Sequence, residues 1–566
     1  MGYFTIICLN YLSCIILISN GLLFKKIFKF NRLKNDIIEL GIYGILTISI
    51  ITFILNFFLK ISPILSLVIL FSATLICFKS FYLIKFQILK TSLFLALISS
   101  MIMFLDNTNR PDAGLYHLPY INIINDSKII FGLANLEFRY GHASILQYLS
   151  AAYNNQIFSN NGILIPLANI FAFTSLYLFN LIKKNKGILK VIFFLFLFNI
   201  LYSMNRYSGF GNDDPAHIFL FVVVCNYLLI IFDNDEDLIK NVTNFSTFVF
   251  LIKPFLILVF LFPLFLLLKK KMKLFSKTNF FCLAIILLWF LKNLFVSSCI
   301  IYPEPKLCFK SMYWSTLNSE VSNPNRTKRT SEAWAKAWPN NKTEISQSDY
   351  IQNFKWLSTW KGSHFNIIIK EILPQLLLIM VLAIILPAHR KDYEFKTKEA
   401  TQIFLIGFFS TAIWFLKFPI YRYGQGYIIL LINSLLILFL SKQFKIFNLK
   451  SKNITKFLLT IIMITFAGII MKNFNRINKN FNNLYVDYPW PKMNSFTKNN
   501  TKNENIPIYS KDNELLYYKP YPYTLCMNSV SPCTSSTGLT TINTVSYTHL
   551  RAHETVLDLV CRLLLE

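Results

Sequence analysis

Charge vanishes from this chain over long stretches, and that pattern constrains its fold more than any other feature. Apolar blocks run over 4–23, 40–59, 61–78, 91–105, 162–182, 187–204, 215–232, 245–268, 279–299, 372–388, 400–416, 426–440 and 454–471, with lysines and arginines gathered between them. A helix rises about 1.5 Å per residue, so about 20 apolar residues match a hydrocarbon core of roughly 30 Å. The reading is an all-α polytopic membrane protein with about 11–14 transmembrane helices. Composition agrees: 54% of the 566 residues are apolar and 15% charged, where an ordinary soluble domain carries roughly 25% charged residues. A cytosolic enzyme, a disordered chain and a collagen are excluded.

The net charge of +28, from 56 basic and 28 acidic residues, invites a nucleic-acid partner. Its placement argues against one. The lysines lie in short runs beside apolar blocks, where they orient helices and meet anionic lipid head groups. The ten cysteines form no CxxC pair or Cys/His cluster, so zinc is not expected either. No basic n-region precedes 4–23, which therefore reads as a retained helix and not a signal peptide. At the other end, Val545-Ser-Tyr-Thr-His-Leu-Arg-Ala-His-Glu-Thr555 and Val560-Cys-Arg-Leu-Leu-Leu-Glu566 look like translated sequencing adapter. Residues 545–566 are set aside as non-native. The expected domains are a transmembrane unit, 1–471, and an extracytoplasmic segment, 472–544.

Basic clusters around Lys25, Lys85, Lys183, Lys269, Arg390 and Lys442 mark the cytoplasmic side. The N-terminus, the loops 106–161, 205–214, 300–371 and 417–425, and the tail from 472 then lie outside. One interval breaks this alternation: three blocks separate Lys186 from Lys269, although both should face the cytoplasm. Lys253-Pro254 interrupts the third, and proline cannot continue a helix unbroken. Two readings stand open. Either 245–252 and 254–268 are two half-helices around a break lining a cavity, or the block is one kinked span. In both, every long loop is on one face, which favours chemistry there over the short-looped build of a transporter.

Three constellations sit on that face. The first is Asp106-Asn-Thr-Asn-Arg-Pro-Asp112-Ala-Gly-Leu-Tyr116-His117-Leu-Pro119, followed by 120–136, which reads as an amphipathic helix lying in the interface. The second is Arg206-Tyr-Ser-Gly-Phe-Gly-Asn-Asp213-Asp214-Pro215, where Asp214 suits an N-cap and leaves Asp213 and Arg206 without a duty. The third is Lys417-Phe-Pro-Ile-Tyr421-Arg422-Tyr423-Gly424-Gln-Gly426. Here the glycines would let a ligand approach the backbone, and Arg422 could grip phosphate bidentately. Lys253 and Lys292 add two cations within or beside spans. Carboxylates from two loops and cations from several form an inventory for displacing a phosphate leaving group.

Asp112-Ala-Gly-Leu-Tyr-His-Leu-Pro119, with Gly132-Leu-Ala-Asn135 and Arg139, resembles the signature of a family of large bacterial membrane proteins built like GT-C glycosyltransferases. Lys253-Pro-Phe resembles the Lys-Gly-Pro helix break of lipid A aminoarabinose and protein mannosyltransferases. Lys292-Asn before Tyr302-Pro303, and Pro419-Ile-Tyr-Arg422-Tyr-Gly424, are similar to further landmarks. The resemblance covers about 90–430 and implies a GT-C-like bundle in a bacterial cytoplasmic membrane, active on its extracytoplasmic face. It implies a sugar donor carried on polyprenyl phosphate or pyrophosphate, and a glycan, lipid or protein acceptor. In GT-C enzymes an acidic pair sits in the first outer loop; here Asp106 and Asp112 follow the fourth block and are not adjacent.

If the class is right, Asp112 or Asp106 takes the proton of the acceptor hydroxyl. Arg422, assisted by Arg139 or Lys253, stabilises the departing phosphate, which needs cations and not the acid of a glycosidase. His117, Tyr116, Asp213, Arg206 and Tyr421 are the candidate substrate contacts. No cofactor is required, although Asp106 and Asp112 could share a divalent cation. Five of the eight tryptophans (Trp314, Trp334, Trp338, Trp356 and Trp360) fall within 303–365 and suit either sugar stacking or a local core. Cys526 and Cys533 could pair in an oxidising compartment. The rival readings are a polymerase, ligase or flippase of lipid-linked polysaccharide, and a small-solute transporter.

Overall fold

The structure is a computed structural model that describes residues 3–30, 36–105, 112–203, 211–232, 235–339, 345–385, 397–443, 452–480, 504–509, 515–521, 525–526 and 529–534. Among them, nine helices are long and apolar enough to cross a membrane, from Tyr3–Phe28 to Thr455–Asn475, and three shorter apolar helices accompany them. The membrane-spanning part is all-α, and the chain is a multi-pass membrane protein. Two of its helix starts follow from local chemistry. Ser62 accepts from the Leu65 N–H ahead of Pro63, and Ser276 accepts from the Asn279 N–H.

Helices Tyr3–Phe28 and Ile37–Asn56 cross in backbone contact. A Cβ on Gly21 would stand 1.8 Å from the Leu40 carbonyl oxygen, and one on Gly44 would stand 1.7 Å from that of Leu17. Only glycine allows this approach, the usual device where lipid removes the hydrophobic drive between helices. The approach stacks Phe24 on Tyr43, with ring centres 4.6 Å apart.

The broken interval resolves as a helical hairpin. Helix Asp213–Phe232 is followed by Glu236–Ile252; Lys253 is extended (φ −149°, ψ 99°), and Pro254–Phe260 and Leu261–Leu268 return beside the ascending arm. The ascending arm begins at Glu236, not at 245, so an even number of segments lies between Lys186 and Lys269. Its first half is polar, and Asn241 is tolerated inside the bundle because it is fully partnered. Tyr43 donates to Asn241 Oδ1 at 2.5 Å; Asn241 Nδ2 donates to Glu39 at 2.5 Å and to Asn226 Oδ1 at 3.0 Å.

Two faces emerge. On one, Lys184 pairs with Asp36 at 3.3 Å, Lys277 donates to the Ile27 carbonyl at 2.8 Å, and Lys269 pairs with Glu399 at 2.9 Å. On the other, the loops lock together: Gly132 N–H donates to the Phe295 carbonyl at 2.8 Å, Asn135 to that of Trp314 at 2.9 Å, and Trp360 Nε1 to that of Pro419 at 2.6 Å. The C-terminal residues dock on the same layer. Tyr140 donates to the Cys533 carbonyl at 2.5 Å and Asn122 to that of Ser529 at 3.0 Å. Ahead of them, Glu504–Tyr509 and Leu515–Tyr521 form an antiparallel two-stranded sheet.

Three local expectations change. The helix after Asp112 is Leu118–Asp126, short and buried rather than interfacial, because its polar face is covered: Asn125 donates to the carbonyls of Ile61 and Ala151. The span expected at 372–388 begins upstream, since Leu357–Leu382 is apolar enough to cross and carries Trp360 against Phe415. Cys526 is bonded to Cys533, and Cys299 is bonded to Cys308, a pair the spacing had not suggested.

Candidate functional site

Four charged side chains, each from a different stretch of sequence, meet on the loop face. Asp112 stands at the head of the π-turn Ala113–His117. Asp213 is the first residue of its helix. Lys253 is delivered by the tip of the hairpin, where Pro254 has no N–H to continue the helical ladder. Arg422 lies in the first turn of helix Tyr421–Gln443, its carbonyl held by His217 Nε2 at 2.9 Å.

The guanidinium of Arg422 is the hub. Its Nη1 is 3.4 Å from Asp112 Oδ2, its Nε 3.8 Å from Asp213 Oδ2, and its Nη2 donates to the Tyr423 hydroxyl at 3.2 Å. Lys253 Nζ donates to the other oxygen of Asp213 and stands 4.0 Å over the Tyr423 ring. Asp213 is thus gripped from both sides, whereas among the described residues Asp112 has a single long contact, and its side chain is 39% exposed. One carboxylate is clamped and the other open.

Tyr116 borders the cluster. Burial, reinforced by the charges of Asp112 and Asp213, pushes its phenol well above the ordinary tyrosine range, so it stays a neutral donor. His117 is 2% exposed, its ring 4.1 Å from that of Tyr116, and Gln147 Nε2 is 3.5 Å from its Nδ1. Burial lowers its pKa to about 4, against the opposing pull of Asp112 and Asp213. The unfolded chain, with an ordinary histidine, takes up the proton first as pH falls. Stability is therefore intact above about pH 6.5 and declines toward pH 4, by about 3 kcal/mol over that window. Melting midpoints should fall more steeply over this range for the wild type than for His117→Gln; equal slopes would remove His117 as the cause.

Other candidates lie elsewhere. Arg139 is not brought to the cluster; Glu137, two residues away, holds it at 2.8 Å and it lies over the Phe138 ring. Lys292 is fully buried and stands 3.9 Å over the ring of Trp289. Tyr421 is buried at the head of its helix. Gly424 and Gly426 admit protein and not ligand: added Cβ atoms would meet the Trp414 ring at 2.4 Å and His217 at 2.6 Å. Asp106 and Arg206 lie outside the described residues, and among those described no group of three His, Cys, Asp or Glu could hold a metal. Tyr423 stood in the third constellation without an assigned role, and His217 was not singled out, although a histidine inside an apolar block was the available signal for it.

A family model described as a domain of unknown function (DUF8201) matches residues 3–429. The chain belongs to the DUF8201 family. No curated protein and no solved structure matches it. The DUF8201 match takes in all four charged residues of the cluster and ends within helix Tyr421–Gln443, before Lys452–Asn480 and the docked C-terminal residues.

Proposed function

We propose that this chain is an integral membrane glycosyltransferase. It would move a sugar from a polyprenyl-phosphate-type donor to a glycan, lipid or protein acceptor on the extracytoplasmic side of a bacterial cytoplasmic membrane. The observation that carries this reading is the cluster itself: an open carboxylate, Asp112, beside a guanidinium and an ammonium whose shared carboxylate, Asp213, holds them in place. Among the described residues, both disulfides belong to the loop face and five other cysteines are free. Together with the lysine-rich opposite face, that supports an oxidising, extracytoplasmic location for the cluster.

In this mechanism the acceptor hydroxyl attacks the anomeric carbon as Asp112 takes its proton. The bond from that carbon to the phosphate oxygen breaks, and its electron pair leaves on the phosphate. Arg422 and Lys253 meet the charge that develops there. Single displacement inverts the configuration at the sugar carbon.

The test is transfer from labelled polyprenyl-phosphate sugars by purified protein in lipid. Asp112→Asn should retain donor binding and lose roughly 10²–10⁴-fold in rate, the usual contribution of a general base. A wild type that binds donor and never cleaves it, with acceptors supplied, would move the reading to a flippase.

A further inference from the structure

One indole of the tryptophan-rich loop stands apart from the rest. Trp314 and Trp356 are 4% and 1% exposed; Trp360 is buried beside Tyr350 and Trp356, and Trp338 packs on the Tyr350 ring. Tyr350, Trp338, Trp356 and Trp360 build one small core, whereas Trp314 packs on Phe131 and donates to the Leu294 carbonyl. Trp334 differs, being 52% exposed. It lies near the end of helix Pro324–Ala335, with the Arg422 guanidinium 5.6 Å from its ring centre.

This position is enforced. The neighbouring Glu332 is buried and held twice, by Lys336 at 2.7 Å and by Lys417 at 3.5 Å. Lys417 ends the helix Thr397–Lys417, five residues before Arg422, so one carboxylate ties the tryptophan helix to the strand of chain that supplies the guanidinium. Lys336 is itself fixed, its carbonyl accepting from the Tyr350 hydroxyl at 2.9 Å and its ammonium lying 4.9 Å over Trp356. A half-exposed indole is therefore held with the cation assigned to phosphate over its ring. In a lipid-linked sugar the ring is joined directly to that phosphate. Its C–H face is apolar and suits the negative face of an indole.

We propose that Trp334 is a specificity-determining platform on which the donor's sugar stacks, so that the site selects a lipid-linked pyranose over the bare lipid phosphate. This rests on the donor reading given above. It assigns the two halves of the ligand to separate groups, phosphate to Arg422 and sugar ring to Trp334.

The experiment compares binding of a polyprenyl-phosphate-linked glucose with that of the same polyprenyl phosphate without sugar, to full-length protein in nanodiscs. Trp334→Ala should weaken the glycosylated lipid about tenfold and the bare lipid by less than about twofold, and Trp334→Phe should retain most of the discrimination. Equal losses on both lipids would mean that Trp334 only positions Arg422, and no loss on either would mean that it has no role; both results overturn the proposal. If wild type prefers the glycosylated lipid through Trp334 yet never transfers the sugar, the transferase reading falls and the platform stands. If wild type binds both lipids equally, the platform falls whatever the transfer assay gives.

Discussion

Arg422→Ala is expected to lower sugar transfer by roughly 10²–10³-fold while the protein stays folded, the size of loss seen when one preorganised donor is removed from developing negative charge. The fold should survive because the side chain is 34% exposed and its ion pairs are partly solvated, where such pairs contribute little to stability. His217 holds the Arg422 carbonyl, so the helix start keeps its anchor. Asp213 keeps Lys253. Arg422→Lys should rescue little. Three nitrogens of the guanidinium face Asp112, Asp213 and Tyr423 separately, and one ammonium cannot reproduce that fork. Transfer rates with melting curves on the same preparations decide the matter. A variant that keeps more than about a third of wild-type transfer would remove Arg422 from the chemistry, because an oxyanion-type donor costs far more than that.

The members of the cluster were each legible as charged residues beside spans, but their meeting was not. Asp112 and Arg422 are 310 positions apart, and Lys253 and Asp213 are 40 apart; nothing local announces such pairs. Proline made the hairpin tip legible. The hairpin's beginning was hidden because Asn241 and Thr243 read as loop residues until Glu39, Tyr43 and Asn226 satisfy the asparagine inside the bundle. Arg139 misled for the opposite reason: its partner, Glu137, was in plain view two residues away. The glycines of the 417–426 motif were read as room for a ligand against the backbone, but the space beside them is filled by Trp414 and His217. Sequence alone distinguishes poorly between space kept for a ligand and space kept for a neighbouring helix.

The same distinction yields the largest expected effect on folding. Gly44→Val should fail to give monodisperse protein, and Gly21→Ala should lower the melting midpoint sharply. At both sites the atom an added Cβ would strike is a backbone carbonyl, at 1.7 and 1.8 Å, and backbone cannot rotate aside as a side chain can. Overpacking a core commonly costs about 1–3 kcal/mol even where side chains can yield. Here the two helices must separate. Separation would pull Tyr43 from its stack on Phe24, and because Tyr43 and Glu39 share the helix Ile37–Asn56, its displacement would strip both from Asn241 and leave the asparagine only Asn226. A buried polar group stripped of its partner costs a further 1–3 kcal/mol or so, about the desolvation of that group. Gly468→Ala is the contrast, since nothing lies within 4 Å of its added Cβ in helix Lys452–Asn480. That change should be neutral or raise stability by about 0.5–1 kcal/mol through helix propensity. Size-exclusion profiles and melting curves of the three variants read the difference directly. If Gly44→Val elutes and melts like wild type, the close crossing of the first two helices is not what holds this bundle together.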